Sequence, residues 1–190
     1  MLRPLAPILC LAILVSTLAP AHAQPAADVA ATEVLLRPTA ADYVQGYEAT
    51  QPDSGNRILE FVPNGQDVRS WTELLTVQQF RDSAHVPPRE FLDIMGKGWM
   101  QACPDAHVTL IHEDVENGYP IAVAQMICPR NPQTGKPEYT WVKGIQGQGS
   151  LYVVQKAFRF VPEREQVTTW VRYLGQVKAC NEKGDQHPCP

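Results

Sequence analysis

Three consecutive residues, His112-Glu113-Asp114, combine an imidazole with two carboxylates. Those are the side chains of acid–base and metal chemistry. Neighbours on a strand alternate between its two faces, so a solvated strand end before a turn is the plainer reading. His107 lies five residues before His112 and should face the other way, too far round to share a metal ion. Cys103 follows Gln101-Ala102, a setting for a nucleophilic thiol, but Pro104-Asp105 breaks that motif. Cys180, His187 and Cys189 are zinc-ligand types. Gly147-Gln148-Gly149-Ser150 lacks the spacing of a nucleophile elbow. HExxH, CxxC and the P-loop are absent. The sequence therefore assigns no catalytic residue, no metal and no cofactor. Two aromatic residues are better candidates, for binding rather than chemistry. Tyr119 follows the turn residues Asn117-Gly118, and Trp141 stands near the loop Arg130–Pro137, where it should be exposed. Trp71, Trp99 and Trp170 read as core.

The compartment decides how the cysteines are read. Arg3 precedes an apolar run from Leu5 to Leu18, and Ala21-His22-Ala23 follows Pro20. Charged start, apolar middle and small-x-small end are the parts of a cleavable signal peptide. The run is shorter than the roughly 20 residues a membrane span needs. Cleavage is expected after Ala23, with residues 24–32 as a mobile leader and 33–190 as a single domain. Cys10 would leave with the signal, so lipid attachment is not expected. Cys103, Cys128, Cys180 and Cys189 remain, and four cysteines in an exported chain read as two disulfides. Losing Arg3 from 16 basic residues leaves 15 against 20 acidic ones, a net charge of −5. That balance, without a basic run, argues against nucleic acid as a partner. The remaining chain has no second apolar stretch long enough to span a membrane.

Elements must position these residues. Glu33–Arg37 reads as a short strand or a helix start, and Gln51–Asn56 as a loop. Arg57–Val62 is a strand ending at Pro63-Asn64-Gly65. Ser70–Phe80 has capping-box spacing at Ser70 and Glu73 but β-branched and aromatic content; strand is chosen, because the intervening loop can return it against Ile58–Val62. Pro87-Pro88 opens a helix to about Cys103, with Phe91, Met95, Trp99 and Ala102 on one face. Gly96 and Gly98 weaken it and would suit a close approach to the sheet. His107–Glu113 and Ile121–Cys128 flank Asn117-Gly118, a strong hairpin signal. With those two as the turn, Cys128 faces His107, four residues after Cys103. That geometry pairs Cys103 with Cys128 and leaves Cys180–Cys189 to clasp the C-terminal tail. Tyr139–Ile145 and Ser150–Val161 form a second hairpin, with Lys156 interrupting the apolar face of Tyr152, Val154, Phe158 and Phe160. Glu163–Ala179 is a helix with the stripe Val167, Trp170, Val171, Leu174 and Val177, and Lys178 at its end.

The order predicts an α+β fold, an antiparallel sheet with helices packed on it. The segments Glu60-Phe-Val-Pro-Asn-Gly-Gln66 and Trp71-Thr-Glu-Leu-Leu-Thr-Val-Gln78 resemble uncharacterised exported bacterial proteins. The element order is similar to the Mog1/PsbP-like α/β/α sandwich. That resemblance implies a fold and a non-enzymatic binding role, and it transfers no functional residue. The expected function is an exported, non-catalytic binding or accessory protein of the bacterial periplasm. An inhibitor or immunity protein acting on another exported protein is one form of it. The alternative is a periplasmic hydrolase with a site near His112, Glu113 and Asp114; a structural envelope component is a third class.

Overall fold

The structure, a computed structural model, describes residues 32–183 and 186–190. The expected signal peptide and all of the leader but Thr32 lie outside those residues. Among the described residues are nine strands and two helices. They are β1 (Glu33–Leu36), β2 (Tyr43–Thr50), β3 (Arg57–Pro63), β4 (Glu73–Phe80), α1 (Pro88–Ala102), β5 (His107–Glu116), β6 (Tyr119–Cys128), β7 (Glu138–Gln146), β8 (Leu151–Phe158), α2 (Arg164–Gln176) and β9 (Lys178–Asn181). Seven strands form one antiparallel sheet in the order β2-β3-β4-β8-β7-β6-β5. The α+β expectation holds: the sheet carries α1 on one face and α2 on the other. A second, two-stranded sheet of β1 and β9 packs on the α2 side.

Ser70–Phe80 does form a strand from Glu73 onward, paired with β3. Its β-branched and apolar residues Leu75 and Val77 are buried under α2, which outweighs the capping-box spacing. Pro88 takes the first turn of α1, where a missing N–H costs nothing. Leu92 and Gly96 face the sheet. A Cβ at Gly96 would lie 2.9 Å from Val108 Cγ1, so glycine there permits the close approach the sequence suggested. Gly98 has open space around it, and the same explanation does not extend to it.

Asn117 and Gly118 both adopt positive φ, 50° and 78°, as a two-residue hairpin turn requires. Glu116 faces Tyr119 as expected, but the register slips at Ile111. A β-bulge between Leu110 and His112 sets His107 opposite Ile127 rather than Cys128. The shift is one residue, and the disulfide tolerates it: Cys103 and Cys128 are bonded with Cα atoms 6.0 Å apart. Cys180–Cys189 is the second disulfide. Both cysteines being bonded, the zinc reading of Cys180, His187 and Cys189 is withdrawn.

The C-terminal helix is shorter than its apolar stripe suggested. It ends at Gln176, and Val177 turns into extended backbone with φ −72° and ψ 124°. Lys178–Asn181 then pair with Leu36–Glu33 as a strand. Val177 is buried in the core, whereas Val171 is half exposed. A strand partner from the other end of the chain, invisible to local periodicity, decided where the helix stopped.

Candidate functional site

Two lysines are the least expected residues of the α2 face. Lys143 on β7 and Lys156 on β8 are both buried. A buried ammonium needs counter-charge and hydrogen bonds. Lys156 donates to Glu73 Oε2 at 2.7 Å and to the Tyr43 hydroxyl. Its Nζ lies 4.3–4.6 Å from the ring centres of Trp170, Tyr43 and Phe158, a cage of π faces that favours a cation. Burial still dominates, and it pushes the lysine down to about 8 against the pull of Glu73. Tyr43 donates to the same carboxylate oxygen at 2.6 Å, and burial followed by Glu73 holds its phenol well above the usual range.

Lys143 donates to Glu116 Oε2 at 2.6 Å and to the Val177 carbonyl at 2.9 Å. That carbonyl belongs to the C-cap of α2, the end of the helix where a cation is favoured. Burial lowers its pKa, opposed by Glu116. Both lysines therefore tie the sheet to α2, one under its middle and one under its end.

Above Lys143 the face opens into a groove of about 210 Å³ between α2 and strands β5 to β7. Trp141, Val123 and Leu174 line it together with Lys143 and Glu116. Ile111 from the β5 bulge and Val171 from α2 also line it, both about half exposed. His112 and Gly175 complete it. The strand beside it, β5, is an edge of the sheet, so its outer backbone groups have no strand partner among the described residues. A mostly apolar slot next to a free edge has room for a side chain of another molecule.

The residues singled out by sequence fall differently from expectation. Trp141 is not exposed; it is 5% accessible, because β7 lies two strands in from the edge and α2 covers it. It contributes to the groove from within. Tyr119 is also buried rather than projecting from the hairpin. The tail clasped by Cys180–Cys189 folds over it: the His187 ring lies 4.6 Å from the Tyr119 ring, and His187 Nδ1 is 2.7 Å from the Asn117 carbonyl. Burial, then the charge of Glu33, pushes the Tyr119 phenol up to about 12.

His112, Glu113 and Asp114 do not meet in one pocket. His112 Nε2 is 3.6 Å from Asp114 Oδ2, while Glu113 sits 3.6 Å from Arg89 of α1. All three side chains are more than half exposed. The bulge does overturn one expectation: His107 and His112 share a face, since their partners Ile127 and Val123 have the same parity on β6. Those partners are four residues apart, about 13 Å along a strand, so the two imidazoles remain too distant for a common metal.

Sequence reasoning missed Lys143, Glu116 and Ile111, and read Val171 only as part of the helix's apolar stripe. Lys143 carried a signal, as a lone cation within the apolar run of β7, parallel to the interruption noticed at Lys156. Ile111 carried none, because only the bulge turns it toward the groove.

Neither a family model nor a curated protein matches this sequence. Among solved structures, the chain is similar to the crystal structure of LpqN, involved in cell envelope biogenesis of Mycobacterium tuberculosis. The likeness covers 77% of this chain and 83% of that one at 11% identity, with a TM-score of 0.41. No residue role transfers at that identity.

Proposed function

We propose that this is an exported accessory protein that binds another exported protein and catalyses no reaction itself. The groove between α2 and β5–β7 carries the reading. Its walls are mostly apolar, with half-exposed Ile111 and Val171 in the lining, and it adjoins an edge strand. An apolar or aromatic side chain entering such a slot is the usual anchor of a protein interface. The neighbouring strand β5 could add backbone hydrogen bonds to an extended partner segment. Asp114, on the groove's face of β5, favours a partner with a basic residue beside its anchor. An inhibitor or immunity protein that masks an exported enzyme is the specific form of this function. Export is supported by the signal-peptide pattern of residues 1–23 and by two disulfides, bonds that persist in oxidising compartments.

The test is affinity capture from periplasmic extract with the wild type and with Ile111→Glu/Val171→Glu. Both side chains are half exposed, so the variant should fold with less than about 1 kcal/mol of lost stability. A partner held by the wild type and released by the variant supports the proposal. No partner, or one held equally by both, overturns it.

A further inference from the structure

A second concavity lies on the same side of the sheet but at the opposite end, between β1 and strands β3, β4 and β8. It measures about 310 Å³, and three arginines line it: Arg37, Arg57 and Arg81. In a chain of net charge −4, three guanidinium groups at one cavity are a local reversal of sign.

They come from three separate places. Arg37 directly follows β1, Arg57 opens β3, and Arg81 directly follows β4. Antiparallel pairing sets Arg57 opposite Gln79, two residues from Arg81 and on the same face. Each is held in place without losing its charge to the interior. Arg37 lies 4.5 Å over the Phe61 ring. Arg57 donates from Nε and Nη2 to Glu48 Oε1 at 3.0 and 2.6 Å. The Arg81 backbone N–H donates to Asn56 Oδ1, and its side-chain stem lies along Gly55 in the β2–β3 turn. Among the described residues neither Arg37 nor Arg81 has a carboxylate within ion-pair distance.

The one acid lining the cavity, Glu33, is occupied elsewhere. It is buried and accepts from the Gln148 and Gly149 N–H groups at 2.6 and 3.4 Å and from the Tyr152 hydroxyl at 3.1 Å. Its charge is thus met by the β7–β8 turn rather than by the arginines. Gln79, which donates to Ser150 Oγ at 3.0 Å, adds a polar wall.

We propose that this cavity binds a small polyanion, a molecule carrying phosphate or carboxylate groups, through Arg37 and Arg81 with Arg57 in support. Planar guanidinium forks match such oxyanions two bonds at a time. The volume suits a small organic anion and not a polymer. The site is separate from the groove of the proposed partner, so either can fail alone.

The test titrates the protein with pyrophosphate and, separately, with citrate, followed by calorimetry and by the arginine side-chain Nε–H signals in NMR. Saturable binding of either probe, with shifts confined to Arg37, Arg57 and Arg81, is the expected result. Pyrophosphate alone assigns phosphate chemistry, and citrate alone assigns carboxylate chemistry. Arg81→Ala should weaken binding at least ten-fold, and Arg81→Lys should fall between it and the wild type. Arg81→Ala removes no stacking contact, so it keeps the test valid even where Arg37→Ala disturbs Phe61. Lys97→Gln/Lys136→Gln removes two exposed charges outside the cavity and should leave binding unchanged. No saturable binding of either probe, or equal losses in the arginine and lysine variants, overturns the proposal.

Discussion

The two faces of the seven-stranded sheet are built from different chemistry. Under α1 the fully buried core is aliphatic, made of Leu92, Ala122, Ala124, Met126, Val142, Leu151 and Val153, with Phe80, Phe91 and Trp99 packed at its margin. Small residues there let the helix close on the sheet, as Gly96 against Val108 shows. Under α2 the core is aromatic and polar. It contains Trp141, Tyr152, Phe158 and Tyr173, with Lys143 and Lys156 buried among them. Short aliphatic side chains pack tightly under α1, and a concavity of about 200 Å³ opens at the helix's end, beside the Cys103–Cys128 disulfide. A face of large rings and paired charges packs less evenly, and both the partner groove and the arginine cavity open on it. Both proposed binding sites therefore lie on the α2 side of the sheet.

The largest expected effect breaks the polar face. Glu73→Ala strips Lys156 of its carboxylate and leaves a buried cation, at a cost of about 3–5 kcal/mol. Denaturant midpoints measure it. A loss below about 1 kcal/mol, typical of exposed pairs, would show that the charge pair does not hold this face. Next is the staple beside the α1 face. Replacing Cys103 and Cys128 together by Ser should cost about 3 kcal/mol in the chain-entropy model, read from the same midpoints. A smaller effect tests the closeness of α1: Gly96→Val forces the helix off Val108 and should cost about 1–3 kcal/mol, without altering the Arg81 signals across the sheet.

The fourth expectation separates the faces by pH. Lys156 titrates near 8 in the folded protein and near 10.4 when unfolded. Between those values the unfolded chain holds the extra proton, so stability rises with pH across the window and is lost as pH falls through 8. The slope approaches about 1 kcal/mol per pH unit from pH 8 to 10. Above pH 10 the buried tyrosines act the other way, since Tyr119 is held up to about 12 and the unfolded phenol ionises first. Urea unfolding at half-unit steps should therefore show a maximum near pH 10. Lys156→Met should flatten the rise, and Gly96→Val should leave it intact.

The hairpin at Asn117-Gly118 and both disulfides were legible from local residue types, because turn chemistry and cysteine spacing act over short distances. The groove was only half legible. His112 and Trp141 were noticed, but for chemistry and exposure that the fold does not give them. Trp141 lies under α2, and His112 is one lining residue of an apolar slot. The strand β2 had no clear signal; six of its eight residues are exposed beyond the edge of the core, so its pattern carries little apolar alternation. The arginine cavity was not legible at all, since its three cations are about 20 residues apart or more and meet through strand pairing alone.

What the sequence determined by itself was local: the turn between β5 and β6, the start of α1 at Pro88, the strand character of Glu73–Phe80, and the pairing of Cys103 with Cys128. Each follows from backbone preferences or from neighbours within one hairpin. Tertiary structure alone decided where α2 ends, which side of the bulge Ile111 faces, and that two lysines lie in the core. Those outcomes depend on partners distant in the chain: β1 for β9, β6 for the bulge, and Glu73 and Glu116 for the lysines. Burial and charge pairing are properties of the assembled sheet, and no window of residues contains them.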